Sequence, residues 1–307
     1  MLETDKVFAG SIPKNYDRHM VPLIFEPFAA DLAQRAASFS PSAVLETAAG
    51  TGVVTRALAP NLSPGASYIV TDLNQPMLDY AASRQAPDSR IKWRQADALA
   101  LPFENAAFDL VCCQFGAMFF PDRSSAYREA KRVLKPGGHL LFNVWDRIEE
   151  NVFADDVTNA LAKIFPNDPP RFLARTPHGY HDTALIRSEL EDAGFSRVVI
   201  ETRAEQSRAS SPRLPAVAYC QGTLLRNEIE ARNAGKLEAA THYAASAIAH
   251  RHGSGEVAAK IQAHCDRGCG LSVGISRSGT SRHSAATQQL RRFRSEADMN
   301  RIYEYAP

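Results

Sequence analysis

Between Ala43 and Trp145, short apolar runs alternate with stretches whose apolar residues recur at helical spacing. That is the pattern of βαβ units and so of a mostly parallel sheet. AVLETA predicts a buried first strand, after which Gly50 and Gly52 open a turn into the helix VVTRALAP, ended by Pro60. SYIVTD predicts a second strand, QPMLDYAASRQA a helix with Pro76 in its first turn, and IKWRQAD a third strand. FDLVCCQFG is apolar nearly throughout, as a central parallel strand covered on both faces must be. SSAYREAKRVL then gathers Ala126, Ala130, Val133 and Leu134 on one helical face. Pro136 and Gly137 have the chemistry of a type II turn ahead of a fifth strand, HLLFNVW. IRSELEDAGF predicts a helix ended by Gly194, and SRVVIETRAE a sixth strand.

Elsewhere the alternation breaks. NYDRHMVPLIFEPFAADLAQRAAS has helical spacing but contains Pro22 and Pro27, which predicts short helices that break and turn. The stretch from Glu149 to Asp182, with Pro169, Pro170, Pro177 and scattered aromatics, reads as an insertion lying over the sheet's edge. Residues 215–250 are Ala-rich and amphipathic, and EVAAKIQAH reads as a short last strand. Beyond Cys265 the chain turns rich in Gly, Ser and Arg without a sustained period. The expected organisation is an N-terminal helical cap segment over 1–42, an α/β domain over 43–264 with a cap insertion around 149–182, and a poorly ordered tail over 265–307.

Composition narrows the function. Lys and Arg number 35 against 34 Asp and Glu, a formal charge of +1, so no global field favours nucleic acid or an anionic membrane. No apolar run is long enough to span a bilayer, and the five cysteines form no disulfide framework. The expectation is a cytoplasmic protein without membrane insertion. Cys265 and Cys269 lack a second pair at zinc spacing and read as surface thiols rather than half a metal site.

The informative chemistry is in ETAAGTGVVT, where Glu46 precedes Gly50 and Gly52 at the carboxyl end of strand one, the place where open α/β sheets bind ligands. Glycines remove the Cβ that would hold a ligand away, and the following helix offers free N–H groups. Asp72, about twenty residues on at the end of strand two, is placed to accept from two ribose hydroxyls. A nucleoside cofactor follows. A dinucleotide fingerprint wants a third small residue where this chain has Thr55, which weighs against a nicotinamide-dependent oxidoreductase without removing it. A nucleoside-binding module without turnover is the other alternative.

ETAAGTGVVT, TDLNQPML, ADALALPFENAAFDLVCCQFGAMFFPD and RVLKPGGHLLF resemble, in order and spacing, the motifs of class I S-adenosylmethionine-dependent methyltransferases. The likeness is to the small-molecule branch that includes the ubiquinone and menaquinone biosynthesis enzymes. It implies a doubly wound, Rossmann-like sheet of seven strands, mostly parallel, the last antiparallel, under a helical cap, with S-adenosyl-L-methionine as cofactor. Gly50 and Gly52 would line the methionine portion, Glu46 would hold its amino group, and Asp72 the ribose. Leu73 and Met77 would pack on the adenine, whose edge Asp97 and the Ala98 N–H would meet. Gln114 and the residues that follow, among them Phe115, Met118 and Phe119, would run beside the sulfonium, and Tyr16 would close over the cofactor. Ala48 and Ala49 depart from the usual glycine or cysteine, but their small side chains preserve a close approach.

Methyl transfer from a sulfonium needs alignment more than acid–base chemistry, and a base only if the acceptor must lose a proton. His178 and His181 in RTPHGYHD, with Tyr180 between them, are the candidates, followed by His19. Balanced charge and the lack of a DPPY or NPPY motif point to a small-molecule acceptor rather than nucleic acid.

Overall fold

The computed structural model describes residues 12–269. A seven-stranded sheet runs in the order β3-β2-β1-β4-β5-β7-β6. Strands β1 (Ala43–Glu46), β2 (Ser67–Asp72), β3 (Ile91–Gln95), β4 (Phe108–Gln114) and β5 (Leu134–Trp145) are parallel neighbours. The sixth and seventh, β6 (Arg197–Ala209) and β7 (Val257–Cys269), form an antiparallel pair, and β7 also lies antiparallel to β5.

Alternation along each strand feeds a core on either face. Val44 packs with Leu32, Leu58 and Leu78, whereas its neighbour Leu45 belongs to the opposite core with Phe28, Val111 and Phe142. The first face is covered by α2 (Glu26–Ala37), α3 (Val53–Leu58) and α4 (Gln75–Arg84); the second carries α5 (Arg123–Val133) and α8 (Thr183–Asp192). Chain direction across the sheet reverses between β1 and β4, which pair through Glu46 and Cys112. The crevice at that reversal, outside the strands' carboxyl ends, is where such a sheet takes a ligand.

Several expectations shift. Pro22 does not break the N-terminal segment: after α1 (Ile12–Asn15) the chain winds as a π-helix over Tyr16–Phe25 with Pro22 inside it, then passes directly into α2 with Pro27 in its first turn. The Glu26 N–H bonds to the Val21 carbonyl five residues back, and the wider winding gives the proline ring room. The Pro136–Gly137 turn is a bulge inside β5, with Gly137 at φ 81°, not a connection before it. The last strand does not stop at His264; it continues to Cys269, because residues 265–269 pair with β5 on one side and β6 on the other. Cys265 is accordingly buried rather than a surface thiol. The rest of the expected tail lies outside the described residues.

The helical cap draws on more of the chain than the insertion around 149–182, which supplies α6 (Val152–Ile164) and α7 (Phe172–Arg175). The β6–β7 connection adds α9 (Arg213–Gly222), α10 (Leu225–Arg232) and α11 (Leu237–His252). Helix α9 packs on the π-helix and on α11, and α11 packs on α6. Their joint apolar core includes Met20, Phe153, Phe172, Tyr219 and Ile248.

Candidate active site

The chain leaves β1 through a run of left-handed backbone: Ala48 at φ 51°, Gly50 at 58° and Gly52 at 79°. The two glycines serve different ends. A Cβ on Gly50 would meet nothing within 4 Å, so its requirement is conformational; one on Gly52 would lie 3.0 Å from the Ala81 Cβ, so Gly52 also lets the turn pack against α4. Ala48 adopts the same region at a cost of about 1–2 kcal/mol, a strain of the kind found at binding sites. Asp72 pins the turn: one carboxylate oxygen accepts from the Gly50 N–H at 2.8 Å, the other from the Asn74 N–H at 2.8 Å. Burial raises its pKa, opposed by those N–H groups.

Around this turn opens a cavity of about 160 Å³. Ala48 and Gly50 line it from the turn after β1, Asp72, Leu73 and Met77 from the end of β2 and the start of α4. Asp97 and Ala98 line it from the loop after β3, where an Asp97 oxygen also caps the Leu99 N–H at 2.9 Å. Gln114 contributes from β4 and Tyr16 from the π-helix. Gln114 donates to the Phe25 carbonyl at 3.1 Å, but its amide oxygen has no partner, nor has the hydroxyl of Thr51, a lining residue that sequence reading passed over inside the GTG turn. Both atoms are sealed behind the cavity wall, unpartnered polar groups of a kind that buried structure seldom leaves.

Glu46 and Gly52 stand apart from this wall. One oxygen of the Glu46 carboxylate accepts from the Thr55 hydroxyl at 2.7 Å and from the Tyr68 hydroxyl, and burial pushes its pKa up to about 7. Through that oxygen it fastens α3 to the sheet. Thr55, at the third position of a dinucleotide fingerprint, is spent on that bond.

The π-helix lies over the cavity as a strap. Tyr16 stacks on Phe25 with ring centroids 5.1 Å apart, and burial with Asp72 and Asp17 nearby drives its phenol pKa far upward. Asp17 ties the strap down, accepting from Arg56 at 3.1 Å and from the Tyr80 hydroxyl at 3.2 Å, with Arg84 at 3.8 Å.

A second, smaller recess of about 40 Å³ adjoins the first and shares Tyr16, Phe25, Phe115 and Phe119 with it. Phe115, held at φ 49°, stacks on Trp145 at 3.8 Å with the rings 5° from parallel. Beyond them Phe172 closes one side and Tyr219, from α9, another. Met118, expected beside Phe119, lines neither space.

Of the candidate bases, His178 lines the recess, buried, with Nδ1 2.8 Å from the Asp146 carbonyl. A carbonyl only accepts, so Nδ1 carries the proton and Nε2 the lone pair. Burial lowers its pKa to about 4. His181 and Tyr180 do not reach either space. The His181 Nδ1 bonds to the His178 carbonyl at 2.9 Å; the Tyr180 hydroxyl donates to Glu189 at 2.5 Å and lies 3.1 Å from that of Tyr127, with Arg123 over its ring. Both brace the loop that carries His178. His19 is likewise off both walls. Tyr219 carried no signal in the sequence beyond an aromatic in an amphipathic helix.

Residues 45–142 match the family model of a methyltransferase domain. The demethylmenaquinone methyltransferase of Lactobacillus johnsonii is 31% identical over 169 residues, covering 51% of this chain and 68% of that protein. A ubiquinone/menaquinone biosynthesis C-methyltransferase of Ectopseudomonas mendocina is 31% identical over 167 residues, 50% of this chain and 65% of the relative. The chain thus spans about two thirds of the length of these curated relatives. Among solved structures, a methyltransferase-type protein of Bacillus halodurans C-125 superposes with a TM-score of 0.50 at 22% identity, over 79% of this chain and 98% of the other. The YcgJ protein of Bacillus subtilis gives 0.50 at 16% identity, over 78% and 98%. At those identities the two structures speak to the fold alone. Sheet order, glycine turn, Asp72 and the sequence likeness converge: the chain belongs to the class I methyltransferases related to the menaquinone and ubiquinone C-methyltransferases, and S-adenosyl-L-methionine is its methyl donor.

Proposed function

We propose that this enzyme methylates a small, largely apolar acceptor whose reacting edge enters the recess beside His178, while the larger cavity holds the cofactor. The observation that carries the reading is the shared wall of Tyr16, Phe25, Phe115 and Phe119, which places two spaces of different chemistry side by side. Asp72 would bind the ribose, Leu73 and Met77 the adenine faces, and Asp97 and the Ala98 N–H its edge. Ala48 and Gly50, in the left-handed turn after β1, suit the amino-acid portion. When bound, the sulfonium supplies a methyl group already activated for in-line displacement. The protein's part is to hold the acceptor's attacking atom on that line and to exclude water, which the aromatic wall does by contact. A recess of about 40 Å³ takes only the edge of a ring, so the rest of the acceptor would lie against Tyr16, Phe25, Phe115 and Phe119 toward the larger cavity.

Balanced charge supports a small-molecule acceptor over nucleic acid. No described helix is long and apolar enough to cross a membrane, and the buried free thiols of Cys112, Cys113, Cys220 and Cys265 accord with the cytoplasm.

Isothermal titration with S-adenosylhomocysteine tests the cofactor site. Wild type should bind in the micromolar range and Asp72→Ala at least about tenfold more weakly, as loss of a charged hydrogen-bond partner predicts. S-adenosylhomocysteine, but not NADH, should raise the melting temperature. A folded wild-type protein that ignores S-adenosylhomocysteine would refute the reading.

A further inference from the structure

We propose that His178 and Tyr219 form a two-point polar clamp that selects acceptors bearing an O–H or N–H donor. The proposal rests on the recess being the acceptor site. Its other walls are mostly apolar, Met20, Ile24, Phe25, Phe115, Trp145 and Phe172 among them; Tyr16 also lines it, as does Thr223, whose hydroxyl is given to the Tyr219 carbonyl. Into this space the structure brings two polar atoms from different parts of the cap, His178 from the loop after α7 and Tyr219 from α9. The Nδ1 of His178 is committed to the Asp146 carbonyl, and its Nε2 makes no hydrogen bond to any described residue. The Tyr219 hydroxyl makes none either, although the residue is buried. Neither atom is among the sealed, unpartnered polar groups of the described chain, so both open onto the recess.

The two groups differ in what they ask of a guest. With its proton on Nδ1, His178 can only accept at Nε2, and burial keeps the ring neutral across the ordinary pH range. It therefore calls for a donor on the acceptor molecule. Tyr219 can donate or accept, and so takes the second lone pair or a neighbouring oxygen. A guest of the same shape without the donor displaces water from both atoms and replaces it with nothing, which is how polar sites reject apolar isosteres. Backbone contacts hold the clamp in place: the His178 N–H bonds to the Leu173 carbonyl at 3.0 Å, and Thr223 fastens the end of α9 by donating to the Tyr219 carbonyl at 2.6 Å.

Phenol and toluene, nearly equal in shape and differing in the O–H, are suitable probes, titrated into the full chain saturated with S-adenosylhomocysteine. Wild type should prefer phenol by at least about tenfold. His178→Asn keeps an N–H for the Asp146 carbonyl while deleting the Nε2 acceptor, and Tyr219→Phe removes one hydroxyl at constant volume. Each should cut the preference several-fold and the double variant should bring it near unity, with S-adenosylhomocysteine affinity and melting temperature held. An equal preference in wild type and variants, or none in wild type, overturns the clamp. Failure of both probes to bind a chain that still takes S-adenosylhomocysteine overturns the acceptor-site reading beneath it.

Discussion

Asp266 sits toward the carboxyl end of β7, buried, and neither of its carboxylate oxygens has a hydrogen-bond partner. Burial, only partly offset by Arg187, pushes its pKa up to about 8. A carboxyl whose folded pKa lies above its unfolded value binds its proton more tightly when folded, so the stability it confers is complete at acid pH and is lost as pH rises through the folded value. Glu46, at about 7, acts in the same sense. His178 acts in the opposite one, since its folded value of about 4 lies below the usual 6.5 and stability falls as pH drops through that interval. Chemical denaturation followed from about pH 5 to about pH 8 should therefore show Asp266→Asn losing much of the alkaline decline that wild type displays. An unchanged slope would mean that Asp266 finds a partner in solution.

At the scale of elements, two forces hold the π-helix over the cofactor cavity, and their sizes decide what each does. Met20, Val21, Leu23, Ile24 and Phe25 are buried, at about 1.5–3 kcal/mol for each such side chain. The Asp17 ion pairs involve half-exposed arginines and contribute about 0–1 kcal/mol each. The apolar face thus anchors the strap, while Asp17 fixes the end that carries Tyr16. Asp17→Asn should shift the melting temperature by no more than a few degrees yet speed S-adenosylhomocysteine release several-fold in stopped-flow measurements; an unchanged release rate would show that the strap does not gate the cavity.

The same segment shows where sequence reading stops. The elements from Ala43 to Trp145 were legible because each βαβ unit carries its own periodicity and its own turn residues; Gly50 and Asp72 followed from that pattern, whereas Leu73, Met77, Asp97, Ala98 and Gln114 came only from the family resemblance. Pro22 misled because a proline is read against the α-helix, whereas the chain uses a wider turn there. For Glu46 the sequence shows a carboxylate at the strand end but not the Tyr68 and Thr55 hydroxyls that take one of its oxygens. Tyr219 was invisible because its place depends on how α9 meets the π-helix, a contact between segments roughly two hundred residues apart that no local pattern records.

Across the whole molecule, β7 is the strand on which the rest depends. It pairs with β5 along one edge and β6 along the other, so without it β6 has no partner in the sheet. A chain ending at Glu256 should accordingly show no cooperative melting transition and bind no S-adenosylhomocysteine, as followed by calorimetry and titration. A cooperative transition in that variant would mean that β5 can close the sheet alone.

The β6–β7 pair has another consequence. Because the two strands are antiparallel neighbours, everything between Ala209 and Val257 is one excursion that leaves the sheet and returns beside its point of departure. That excursion carries Tyr219, whereas the turn at Gly50, Asp72 and the loop at Asp97 belong to the other half of the sheet. The excursion is therefore joined to the sheet like the head of a tool to its handle, at one socket, so that its length can change without re-pairing any strand that carries the Gly50 turn, Asp72 or Asp97.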